Sequence, residues 1–113
     1  MQYGLSDRSL ATLASIFGKY PGLRQAILYG SRAKGTYRSG SDIDLALKTD
    51  DTFTRGDLLR IAGDFEDSDL PYCVDVCLYS KLSNPDLRAH IDRAGKLLYP
   101  VQPQKKTARV CPA

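Results

Sequence analysis

Long apolar runs, paired cysteines and clustered histidines are all missing from this 113-residue sequence. No stretch approaches the roughly 18 apolar residues needed to cross a bilayer. The N-terminal MQYGLSDRSL carries Asp7 and Arg8 where a signal peptide would place its apolar segment. The chain is therefore expected in the cytoplasm, with no membrane association. The three cysteines, Cys73, Cys77 and Cys111, make no disulfide framework. The only histidine is His90, which leaves too few ligands for a structural zinc. A P-loop is excluded as well: in GSRAKGT, Lys34 precedes Gly35 and Thr36 follows it, so the required Gly-Lys pair is absent. There is no internal repeat. A basic domain is also missing, despite a net charge of +3. Lys105, Lys106 and Arg109 supply that excess, while residues 1–100 hold thirteen basic and thirteen acidic side chains. Such a neutral core is poorly suited to strong nucleic-acid binding, which rests on phosphate neutralisation.

At 42% hydrophobic, the chain can bury a core of one ordinary domain. Ser6 can cap a first helix whose stripe is Leu10, Leu13, Ala14 and Phe17, ended by Gly18 and Pro21-Gly22. Residues 24–29 read as a strand. Residues 30–41 read as a polar loop with a helical turn after Gly30, and 42–47 as a second strand. After a polar turn, a second long helix is expected over 54–66, with Leu58, Leu59, Ile61, Ala62 and Phe65 on its apolar side. Residues 73–79 form a third strand. Asn84-Pro85 starts a last helix, with Asn as cap and Pro at its first position, and Gly95 ends it. Residues 96–99 form a short fourth strand. The predicted fold class is α/β (α+β): a small mixed sheet with helices packed on one face. Residues 1–99 make the domain. Residues 100–113, with three of the six prolines, are expected to be a disordered basic tail.

Alternation along the strands puts Ile43, Leu45 and Leu47 on one face and Asp42, Asp44 and Ala46 on the other. In the third strand Val74, Val76 and Leu78 oppose Cys73, Asp75 and Cys77. If these strands are neighbours in register, Asp42, Asp44 and Asp75 converge on one open face. Carboxylates that close repel, and a divalent cation relieves them. Magnesium takes carboxylate oxygens together with substrate phosphates. Taken alone, an Asp at a strand start is also a common turn residue. Asp75 is more informative, because Asp is depleted between apolar strand residues. Beside the acids, Gly30-Ser31 follows a strand directly. Glycine admits a phosphate to the backbone, and the Ser31 hydroxyl adds a donor. Arg32, Lys34 and Arg38 place cations on the same loop, and a plain turn with a solvated surface is the alternative for each.

Gly30-Ser31, ten residues, then Asp42-Ile43-Asp44 resembles the G-S-x₁₀-D-x-D signature of minimal nucleotidyltransferases of the DNA polymerase beta-like superfamily. Asp75, within VDVCLY, matches that superfamily's third carboxylate. The resemblance spans most of residues 5–99. It implies that Asp42, Asp44 and Asp75 bind two magnesium ions, Asp75 only the one on the acceptor side. It also implies that Gly30, Ser31, Arg32 and Lys34 hold a nucleoside triphosphate, with ATP as substrate. The implied reaction moves a nucleoside monophosphate to a hydroxyl and releases pyrophosphate. Single-domain members are commonly antitoxins of HEPN ribonuclease toxins, and some adenylylate a toxin tyrosine. The resemblance thus implies a HEPN-type toxin partner in a hetero-oligomer. An antitoxin acting by binding alone, or a nucleotidyltransferase with a small-molecule acceptor, are the alternatives.

Overall fold

Ser6, Thr54 and Asn84 each begin a helix in the computed structural model, which describes residues 3–38 and 40–100. The proposed tail beyond Pro100 lies outside the described residues. Ser6 accepts a hydrogen bond from the Ser9 N–H (3.1 Å) and opens α1, Asp7–Phe17. Thr54 and Asp57 form a reciprocal capping box at the start of α3, Arg55–Asp67. The Asn84 side chain accepts from Asp86 and Leu87 ahead of α4, Pro85–Ala94. The remaining elements are β1 (Leu23–Tyr29), the single turn α2 (Ser31–Lys34), β2 (Ile43–Thr49), β3 (Val74–Leu78), a 3₁₀ turn at Tyr79–Lys81 and β4 (Lys96–Tyr99).

The four strands form one mixed sheet in the order β3-β2-β1-β4. β1 pairs antiparallel with β2 and with β4, whereas β2 and β3 run parallel. A parallel pair needs a crossover, and α3 supplies it. Ala26 and Leu28 of β1 and Ile43, Leu45 and Leu47 of β2 point to one face. There they bury against Leu13, Ile16 and Phe17 of α1 and Ile61 and Phe65 of α3. Phe17 meets Phe65 edge-on at 5.9 Å between ring centroids.

The fold is the α/β class expected, with helices differently distributed. α1 and α3 share the apolar face, but α4 crosses the other. The Gly30 N–H donates to His90 Nε2, the Tyr29 ring meets the His90 ring edge-on, and Gly95 lies against Ile27. The reason is apolar surface on that face: Ile27 and Ala46 are aligned in register, Ala46 is fully buried, and Ile91 of α4 is buried as well.

Candidate active site

Asp44 and Asp75 are each the second residue of their strands, and the parallel register places them directly opposite one another. Adjacent strands lie about 4.8 Å apart, so paired residues present their side chains on the same face at close range. Asp42 stands just before β2, outside its hydrogen-bonded length, and is exposed. Asp75 is exposed and Asp44 is partly buried. Burial, then the charge of Asp75, then that of Asp42, raise the Asp44 carboxyl above its usual range. Among the described residues, no group of three or more His, Cys, Asp or Glu side chains is placed to hold a metal ion, so the expected convergence of Asp42, Asp44 and Asp75 is seen only as the facing pair Asp44 and Asp75.

On the other flank of Asp44, the register brings in Tyr29. Its hydroxyl lies 3.6 Å from the Cys77 thiol, and burial first, then that contact, push its pKa far above the usual phenol value. Tyr29 therefore stays neutral beside the acids.

Gly30 joins this strand to α2 with φ 77° and ψ −152°, a region essentially reserved for glycine. A Cβ at this position would stand 2.5 Å from Asp44 Oδ2. Gly30 thus lets the turn close onto the carboxylate. Ser31 is half-buried at the start of α2, and Lys34 and Arg38 are exposed.

Arg32, expected beside Lys34 as a phosphate-binding cation, has a different placement. It is 2% exposed. Nε and Nη2 donate to the Ser41 carbonyl at 3.1 and 2.8 Å, and Nη1 donates to the Tyr3 carbonyl at 3.0 Å. The guanidinium also lies 4.4 Å from the Tyr72 ring centroid and 5.1 Å from that of Tyr37. His90, considered in the sequence only as a zinc ligand, accepts the Gly30 N–H at 3.3 Å from α4. Its position directly before the buried Ile91 was the available signal.

A separate open groove of about 520 Å³ between α1 and α3 is lined by Arg8, Lys19, Asp64 and Asp69 among others. Its charges already pair, Arg8 with Asp69 and Lys19 with Asp64, and it lies across the sheet from the paired acids.

An oxygen-only donor pair whose charges repel, set beside a glycine turn with exposed cations, fits a divalent ion and a polyphosphate. Magnesium is usually held by one or two carboxylates plus substrate phosphates, so an incomplete protein ligand set suits it. Fold and site together define a phosphate-transfer domain of the nucleotidyltransferase type. The chain belongs to the polymerase beta nucleotidyltransferase family, whose model matches residues 11–104. No curated protein matches the sequence significantly. Among solved structures, the chain is similar to a toxin–antitoxin crystallised with AMP-PNP, with 25% identity and a TM-score of 0.65 over 80% of this chain and 72% of that one. A mutant of the toxin–antitoxin MntA-HpeT shares the fold, with 23% identity and a TM-score of 0.61 over 84% and 73%.

Proposed function

We propose that this protein is a magnesium-dependent nucleotidyltransferase that serves as an antitoxin, moving AMP from ATP onto a tyrosine hydroxyl of a partner HEPN-type toxin. The observation that carries the reading is the direct opposition of Asp44 and Asp75 beside the Gly30-Ser31 turn. The nucleotide and the partner draw support from the resemblance to the toxin–antitoxin structure with AMP-PNP.

In this reading Gly30 and Ser31 receive the triphosphate, with Lys34 as the exposed cation at the end of α2. Asp42 and Asp44 hold the magnesium-bound triphosphate, and Asp75 faces the acceptor side. Magnesium, when bound there, would neutralise the phosphate charge and lower the barrier to attack. The acceptor hydroxyl gives its proton to the Asp75 carboxylate, and its oxygen bonds to the α-phosphorus. The bond from that phosphorus to the oxygen bridging to the β-phosphate breaks, and pyrophosphate leaves. Asp75, exposed near the start of an edge strand, is open to an acceptor presented by a second protein.

Incubating the protein with its partner, magnesium and each α-labelled nucleoside triphosphate tests the proposal. ATP should label a tyrosine of the partner. Neutralisation of the partner without any label would favour antitoxin action by binding alone, and label on a small molecule would move the acceptor.

A further inference from the structure

We infer that Arg32 is a positioning residue that sets Asp42 for the nucleotide, rather than a ligand of the phosphates. The inference rests on the nucleotidyltransferase reading above. Asp42 lies outside the β2 ladder and needs another restraint if it is to meet the substrate at a fixed place. The residue before it, Ser41, gives its carbonyl to two nitrogens of Arg32. A guanidinium is a planar fork, so two bonds to one oxygen fix the direction of that carbonyl and hence the backbone leading into Asp42.

The same guanidinium reaches the other acid-bearing strand. Tyr72, stacked on Arg32, precedes Cys73, whose carbonyl accepts the Ile43 N–H at 2.9 Å where β2 and β3 begin to pair. Arg32 follows Ser31 directly, so one side chain ties the phosphate turn to the entries of both strands. It forms no ion pair among the described residues, and carbonyls and ring faces meet its charge instead. Gly4 completes the arrangement: with φ 74°, it has no side chain where a Cβ would meet the Tyr37 ring and lie 2.8 Å from Arg32 Nη1. A guanidinium so engaged has little freedom to swing out to a phosphate.

Three variants of the full chain test this: Arg32→Lys, Gly4→Ala, which displaces the guanidinium without removing its charge, and Asp42→Asn. Calorimetry with AMP-PNP is run with and without magnesium. Arg32→Lys and Gly4→Ala should leave magnesium-free affinity within about twofold and cut the magnesium-dependent gain by about tenfold, and on the Asp42→Asn background they should add less than about twofold. Hydrogen exchange across residues 40–44 should accelerate in both variants, with or without nucleotide. A loss of magnesium-free affinity in Arg32→Lys that persists on the Asp42→Asn background would make Arg32 a phosphate ligand and overturn the inference. Unchanged exchange across 40–44 in a folded variant would also overturn it. If the wild-type protein itself shows no magnesium-dependent gain, the nucleotidyltransferase reading fails, and the exchange result still decides whether Arg32 restrains Asp42.

Discussion

At Gly30 the backbone and a carboxylate compete for the same space. A Cβ there would press on Asp44 Oδ2 and would also have to adopt φ 77°. Gly30→Ala should therefore cost about 1–3 kcal/mol of stability and lower transfer at least ~100-fold by displacing Asp44. Chemical denaturation and single-turnover assays on one preparation check both. Asp44 makes a second prediction, with a sign that runs against ordinary surface carboxylates. Its folded pKa is raised above 3.8, so the folded state holds that proton more tightly than the unfolded chain does. Stability is then lost as pH rises from about 3.8 through the raised value, and the loss is complete above it. Asp44→Asn removes that loss. At pH 7 without divalent cations the variant should melt higher than wild type, and the gap should close toward pH ~4, the usual carboxylate range. Magnesium with nucleotide should raise the melting temperature of wild type and not that of Asp44→Asn. A lower melting temperature for Asp44→Asn at pH 7 would mean that burial and the neighbouring acids do not destabilise the ionised Asp44.

Among the elements, α3 is fixed by its first turn and α4 by one buried side chain. Thr54→Ala breaks the capping box and should cost about 1 kcal/mol, seen as a lower melting temperature with nucleotide binding intact, since α3 lies across the sheet from the acids. Ile91→Ala should cost about 2–5 kcal/mol. It should also weaken nucleotide binding, because His90, its neighbour in α4, contacts Gly30. The starts of α1 and α4 were legible in the sequence, since Ser6 and Asn84 are cap residues followed by a stripe; the Thr54 cap of α3 was not, and that helix was expected from residue 54 rather than Arg55. The opposition of Asp44 and Asp75 was legible as a conditional: alternation fixes the face, while the pairing of β2 with β3 depends on the α3 crossover. The side of the sheet taken by α4 was not legible, because a small apolar patch such as Ile27 and Ala46 becomes visible only when the strands are aligned. The burial of Arg32 was not legible for a similar reason. A cation in a Gly- and Ser-rich loop reads as solvated, and the carbonyls and rings that bury it come from Tyr3, Ser41, Tyr37 and Tyr72, distant in sequence or placed by the loop's own fold.

Across the whole molecule, the sheet separates two tasks. One face, under α1 and α3, holds the main core, and the other holds the carboxylates, with α4 covering only the part nearest Ile27 and Ala46. Residues 1–100 balance their charges, so in the proposed reading recognition of the acceptor would rest on the surface around the acids rather than on long-range attraction. In the proposed reaction Asp44 and Asp75 divide the work, one serving the nucleotide and the other the acceptor. The most direct measurement is single-turnover transfer from labelled ATP to the partner protein by Asp75→Asn, paired with its affinity for magnesium–AMP-PNP. Asp75→Asn should bind with affinity close to wild type and transfer more slowly by about 10³, equivalent to ~4 kcal/mol of transition-state stabilisation. Transfer at the wild-type rate by Asp75→Asn would contradict that division.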